Sequence, residues 1–521
     1  MEVQFQKIEA LPRLAWCANV ERRERRIRVL HGPHVETTDE FFCEGAWSGR
    51  FEDGDFEQSQ FMGSGGKVTR RGLLIASPTH TIDRIYALQH GSVLSLSNSC
   101  AFVLAQAHDT LDPDYLLYSP KISSIIRGLD RYARWIPTRS GNRIHMFCHC
   151  NLHVSIDHDI EEQPKPPVRD FADFADYTSF LEEQATGIVG NANDPLRTVR
   201  YRPLATISSG YDSSASAVLA RRAGCDEAVT FPVARFDGTA EKDDSGVTIG
   251  ERLGMRVRVY NRLGYLRQTG WPEAEGGISE FLSLTDSLEN RILVTGFNGD
   301  TLWDRSSDRV SRQIRRTSLS GDNLGELRLR IGFIHLPVPY LGCTSHPSVH
   351  RISNSSEMRP WRIRATYDKP IPRRLLEEAG VERGLFGTEK KAAAVVAREE
   401  GFERTMTKES LADFARFVRG YRSLRTLAKL RLYRGLYHLS RMHRAAKRRL
   451  ERAASWLMRK PIWLPLLVPS EIERLGQSGP YALLFHWSIV KLLPRYQVVD
   501  GSVGEPVTVG HRGPPLLVAP E

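Results

Sequence analysis

Two stretches of this chain pair a β-strand pattern with a turn that carries glycine and one acid, and both could hold phosphate. In the first, TISSGYDSSASAVLARRAG (206–224), residues of strand character run into Ser208, Ser209, Gly210, Tyr211, Asp212, Ser213 and Ser214, and a small-residue helix follows. A turn free of bulky side chains lets backbone N–H groups approach phosphate oxygens, and the N-terminus of the next helix adds partial positive charge. In the second, RILVTGFNGDTLW (291–303), an apolar strand empties into Gly296, Asn298, Gly299 and Asp300. The GxxxxGK[ST] spacing of a Walker A loop is absent. Mg²⁺ takes hard oxygen ligands, usually one or two carboxylates with phosphate oxygens and water. Asp212 and Asp300, at the carboxyl ends of two neighbouring parallel strands, are the expected metal ligands.

A Ser/Gly/Asp turn alone also serves as an ordinary helix N-cap. The two stretches together are more specific. The first resembles the SGGxDSS pyrophosphate loop of the AMP-forming ATP pyrophosphatases, the group containing asparagine synthetase and β-lactam synthetase, with Ser209 replacing one glycine. The second resembles the family's strand followed by SGEGADELF, with Thr295, Gly296, Asn298, Gly299, Asp300, Leu302 and Trp303 at corresponding places. The separation of about 88 residues between Asp212 and Asp300 suits that family. The resemblance implies that ATP and Mg²⁺ are bound, with Ile207, Val233, Thr295 and Gly296 lining the adenine and ribose site. Ile207 and Val233 read equally as plain core. In DKPIPRRLLEEAGVERGLFGTEKKAAAV (368–395), a lysine following an Arg- and Pro-bearing segment matches the family lysine that neutralises charge as pyrophosphate leaves. Lys390 is the expected catalytic residue, with Lys391 beside it. HLPVPYLG (335–342) resembles the family's VRxPFLD segment without its acid, and is expected to pack rather than react.

The chain departs from the pattern at two chemically telling places. Asparagine synthetases carry Glu, and β-lactam synthetases Tyr, where Phe297 stands, and phenylalanine moves no proton. Glu357 falls in the interval where the β-lactam branch places an acid, but also reads as a surface glutamate. Glutamine-dependent members begin with a nucleophilic Cys after the initiator Met, and residue 2 here is Glu2. The first cysteine, Cys17 in LAWCANV, reads as a buried strand residue. DRIYALQHGSVLSLSNSCAFVL and the GLDRY turn (128–132) still resemble a glutaminase domain, so residues 1–163 are expected to be a degenerate one. IHMFCHCNLHV (144–154) alternates apolar residues with His145, His149 and His153, the pattern of one half-buried strand. Histidines four apart on a strand lie about 13 Å apart, too far to share one Zn²⁺.

These elements imply an α/β protein: a degenerate Ntn-hydrolase-like α+β domain, a parallel-sheet PP-loop synthetase domain (172–400) and a basic helical extension (401–521). The length of 521 residues and 41 % hydrophobic content support several cores. Seven scattered cysteines form no disulfide framework, and neither a signal peptide nor an apolar run of spanning length is evident, so a cytoplasmic place is expected. EEQPKPPVRDF (161–171) reads as a linker, 304–330 as an exposed excursion, and 479–496 as a buried helix.

Phe417, Tyr421, Leu424, Ala428, Leu432, Leu436, Leu439, Met442, Ala446, Leu450, Ala453 and Leu457 form one apolar helical stripe. Residues 412–460 hold 15 Lys or Arg against Asp413 and Glu451, more than the whole-chain net charge of +10. The bland expectation is a solvated basic face on a helix whose stripe packs on the synthetase domain. The sharper one is contact with an anionic partner or a membrane surface, peripherally. Nucleic acid is not expected, because no binding module accompanies the charge.

The resemblance implies an AMP-forming ligase that activates a carboxylate as an acyl-adenylate and passes it to ammonia or another amine. Two other readings stand beside it: an intramolecular cyclase of the lasso-peptide or β-lactam synthetase type, and a nucleotide-binding protein that has lost catalysis. Without the Cys nucleophile the pure chain is expected to release no glutamate from glutamine in a coupled dehydrogenase assay. Steady release would contradict this.

Overall fold

Five short strands form a wholly parallel sheet in the spatial order Arg256–Val259, Glu227–Thr230, Arg202–Thr206, Arg291–Thr295, Ile334–Pro337. Counted along the chain, that order is 3-2-1-4-5. The chain therefore winds one way from the central strand Arg202–Thr206 and then the other, and the crevice at such a reversal is where open α/β sheets bind ligands. The computed structural model describes residues 2–70, 72–237, 240–268, 270, 280–319, 321, 324–363, 367–395, 400–420, 424–458, 482–499 and 502–503.

Sequence explains the elements around the reversal. RILVT and RPLAT are short apolar runs buried at their centres, as parallel strands covered on both faces require. The helix Tyr211–Arg222 starts at Gly210 and packs small residues, Ala215, Ala217 and Ala220 among them, close to the sheet. Phe174–Ala192 is capped by Asp173, whose carboxylate accepts the Asp176 N–H at 2.9 Å. Phe174, Tyr177, Leu181, Ala185 and Ile188 form its buried stripe.

Ahead of this domain stand two largely antiparallel sheets, of seven and six strands. They face each other across a core that includes Trp16, Val29, Leu96, Phe42, Ile75 and Leu152. Glu2–Lys7 is an edge strand of the larger sheet, and Cys17 is buried in Trp16–Glu21. All seven cysteines are free thiols and buried. The architecture is thus mixed α/β with several sheets, one of them parallel.

Four expectations need correction. IHMFCHCNLHV is two strands, Arg143–Phe147 and Cys150–Ser155, in different sheets. The chain crosses between sheets at His149, whose φ is 55°; the even positions 144–154 all stay buried because both strands face apolar layers, but Asn151 between them is buried too. Part of the expected linker is the edge strand Ile160–Pro164, and Lys165 beyond it is buried, donating to Asn151 at 2.7 Å. The stretch 304–330 is no free excursion: Ile314 and Arg316 are buried, and the helix Leu324–Ile331 buries Leu324, Leu327, Arg328 and Leu329.

The fourth correction concerns the stripe. In the helix Leu424–Met458 no described side chain is buried, and Leu432, Leu439, Met442, Leu450 and Leu457 are 59–73 % exposed. At these described positions the apolar face therefore does not pack on the parallel-sheet domain, although Phe417, earlier in the stripe, packs against His486. Tyr421 lies outside the described residues. The expected buried helix near the C-terminus is Ala482–Leu492, with Leu483, Leu484, Trp487 and Ile489 inside.

A buried ion pair joins the two halves. Arg328 donates to both oxygens of Glu44 at 2.5 and 3.0 Å and reaches Asp83 at 3.2 Å. Glu44 also accepts from Ser64 at 2.8 Å, and Ser64 accepts from the Trp16 indole at 2.9 Å. Although burial opposes its charge, Glu44 and Asp83 push the Arg328 pKa up, and the guanidinium stays charged. Arg328→Met should therefore destabilise the protein by about 3–5 kcal/mol, because it leaves the Glu44 carboxylate buried without its partner. Urea unfolding of Arg328→Met, Glu44→Gln and the double variant checks this, and the double variant should recover part of the loss.

Candidate functional site

The crevice at the reversal is built by the loops after Arg202–Thr206 and Arg291–Thr295. In the first loop Ser208 Oγ meets Ser213 Oγ at 2.8 Å and accepts the Gly210 N–H at 3.0 Å, and Ser214 donates to the Ser208 carbonyl. Ser209 is tied outward: its hydroxyl donates to Asp244 at 2.7 Å, and its N–H donates to the Asp244 carbonyl at 3.2 Å. Tyr211 is fully buried, takes a hydrogen bond from Arg373 and packs on Tyr367 and Phe386. It anchors the start of the helix, while Asp212 beside it stays in the crevice.

The second loop approaches Asp212 so closely that it needs its glycines. A Cβ on Gly296 would lie 2.2 Å from the Asp212 carbonyl carbon, and one on Gly299 would lie 2.7 Å from its carboxyl carbon. Asn298 adopts φ 73°, turning the chain into the short helix Gly299–Leu302 that carries Asp300.

Three lysines converge on these loops. Lys369, 3 % exposed, donates to both Asp212 oxygens at 2.7 Å and to the Gly299 carbonyl at 3.0 Å. Burial lowers its pKa and Lys390 lowers it further, against the pull of Asp212 and Asp300. Lys390 lies on the Asp300 side, 5.9 Å from the centroid of the Tyr367 ring. Lys391 lies on the Ser209 side, donating to Ser209 Oγ at 2.7 Å and to the Asp243 carbonyl at 2.6 Å. Burial alone would raise the Asp300 pKa, but Lys390, Lys369, the Thr317 hydroxyl at 2.7 Å and Arg316 hold it below the usual carboxylate value. Asp244 is pushed up by burial, a rise that Ser209 and Lys391 moderate.

The other sequence-derived residues divide. Ile207 is buried against Gly246, as core. Val233 is 40 % exposed, so it is not core and is open to a ligand. Thr295 is buried and shares a 2.8 Å hydrogen bond with His335, so its side chain serves the interior, while Gly296 faces Asp212. Phe297 packs edge-on against Phe281 and His335. Burial drives the His335 pKa down to about 3, so this ring is neutral. Glu357 pairs with Arg374 at 2.6 Å and accepts the Phe174 N–H at 3.4 Å, a structural role. His335 to Gly342 is buried packing.

Sequence reasoning missed Lys369 and Asp244. Lys369 sits at the entry to Pro370–Glu378. The only signal was the Asp-Lys-Pro start of a helix.

The donor set fits Mg²⁺: two carboxylates at neighbouring strand ends, both beside serine hydroxyls or lysines suited to phosphate oxygens. That an ammonium takes both oxygens of Asp212 marks the place as one that wants a cation. Among the described residues no cluster of three or more His, Cys, Asp or Glu is placed to hold a metal by protein ligands alone. An ion here would need oxygens from its substrate. No protein-family model matches the chain, and no curated protein matches it.

Lys369→Met should cost about 3 kcal/mol, because it strands the Asp212 carboxylate beside a carbonyl. Added Mg²⁺ should restore part of that loss, and Asp212→Asn in the same chain should restore part of it without metal. Thermal melts of the single and double variants with and without Mg²⁺ check this.

Proposed function

We propose that the chain is an ATP-dependent, AMP-forming amide ligase of the asparagine synthetase type, without glutaminase activity. The observation carrying this reading is the convergence of two acid-bearing strand ends and Lys369, Lys390 and Lys391 at the topological reversal of a parallel sheet. One acid would be enough for a helix cap, and one lysine for an ion pair. Three lysines against two acids suit a polyanion carrying its own metal ion.

In this reading the Ser208–Ser214 loop cradles the β- and γ-phosphates, and Val233 and Gly296 border the adenine and ribose. An oxygen of the carboxylate substrate attacks the α-phosphorus, the bond to the β-phosphate breaks, and pyrophosphate leaves. Asp212 and Asp300 would hold Mg²⁺, which when bound neutralises charge on the phosphates. Lys390, helped by Lys369 and Lys391, stabilises the charge that grows on pyrophosphate. The amine nitrogen then attacks the acyl carbon and AMP departs with the bonding pair. Holding the partners in line supplies the rest of the rate. Phe297 carries no base, and His335, its pKa pushed down to about 3 by burial, is a poor one, so the proton that the attacking amine sheds as the amide forms goes to another group, the departing AMP phosphate or solvent.

Asp212→Asn and Asp300→Asn should each lower exchange of labelled pyrophosphate into ATP by about two orders of magnitude or more, with circular dichroism unchanged. Undiminished exchange in both would remove the site assignment.

A further inference from the structure

The helix Leu424–Met458 has 35 residues, about 52 Å of length, and its apolar face is turned to solvent. At about 100° per residue, Leu432, Leu439, Met442, Leu450 and Leu457 fall within an arc of roughly 80°. Each is 59–73 % exposed. Arg431 and Arg449 are exposed and border this arc on one side; on the other, Lys447 is mostly covered and paired with Glu451 at 3.4 Å, so the exposed basic edge is the arginine side. The segment 424–458 carries ten Lys or Arg against Glu451 alone.

Five exposed large apolar side chains in one line are costly to hydrate. A nucleic acid would use the charge and leave the stripe in water. A peptide-binding groove needs walls, and no described side chain of this helix is buried against a neighbouring element. A long, one-sided apolar line edged by basic residues matches the interface of an anionic bilayer: the apolar face enters the headgroup boundary and the arginines and lysines meet lipid phosphates. Among the described residues no helix is long and apolar enough to cross a membrane, so this one would lie along it.

We propose that Leu424–Met458 is a membrane-surface helix that docks the protein on anionic lipid. The inference does not depend on the reaction proposed above.

The test is co-sedimentation of the full chain with vesicles of phosphatidylcholine alone and of phosphatidylcholine with phosphatidylglycerol, at low and high salt. The parent should bind the anionic vesicles at least tenfold more tightly than the neutral ones, and the preference should shrink at high salt. Leu439→Glu, Met442→Glu and Leu450→Glu together should lower anionic-vesicle binding at least tenfold with an unchanged melting temperature, since these side chains are exposed. Leu196→Glu, on an exposed leucine elsewhere, should bind as the parent does. Three results would overturn the proposal: no vesicle binding, equal binding to neutral and anionic vesicles, or a triple variant that binds like the parent. Self-association seen by sedimentation velocity, lost in the triple variant and unaccompanied by vesicle binding, would assign the face to a second copy instead. A triple variant with a lowered melting temperature would show that the face is packed, again overturning the proposal.

Discussion

Two carboxylates at the ends of adjacent parallel strands repel each other and whatever anion approaches, so the site exists only with cations built around it. Lys369 meets that demand at Asp212, and Lys390 and Lys369 meet it at Asp300. The glycines follow from the same requirement. Gly296 and Gly299 let the second loop close on Asp212 until one ammonium bridges the carboxylate and the Gly299 carbonyl. Tyr211, held by Arg373, and Ser209, held by Asp244 and Lys391, fix the first loop from behind. An anion entering the crevice would find its countercharge already in place, a preorganisation that favours charge developing during reaction.

The sandwich of antiparallel sheets bears on this site by packing. Arg328 reaches from the parallel-sheet half into the sandwich at Glu44, Arg316 reaches the Thr81 carbonyl at 3.4 Å, and Tyr340 meets the Thr81 hydroxyl at 3.2 Å. Arg316 also contributes to the field at Asp300. A segment without a free thiol at its surface can therefore still serve the crevice, by holding the 304–330 stretch and the edge strand Ile334–Pro337 in place.

How much of this was legible in the sequence depended on how local the cause was. The two loops were legible because glycine, serine and aspartate act through the backbone of their own turn. The place of Lys390 and Lys391 after an Arg- and Pro-bearing segment singles them out, but which oxygens each faces depends on the fold. Lys369 was missed because a lysine before a proline is ordinary until Asp212 is brought to it from 157 residues away. The even residues of 144–154 are buried as their apolar types suggest, yet that pattern is blind to the change of sheet at His149 and to the burial of Asn151. The stripe of Leu424–Met458 was read correctly as a helix, but periodicity fixes only which residues share a face, not whether that face meets protein or water.

In the proposed reaction this crevice cleaves ATP between its α- and β-phosphates on behalf of a carboxylate. Incubating the pure chain with ATP, Mg²⁺ and ammonia across a panel of carboxylic acids, and resolving the nucleotides by ion-exchange chromatography, tests it directly. AMP and pyrophosphate should form in equal amounts, only with the acid that the protein accepts, and be matched by an amide seen by mass spectrometry. Formation of ADP and phosphate, or ATP left intact with every acid and amine, would contradict it.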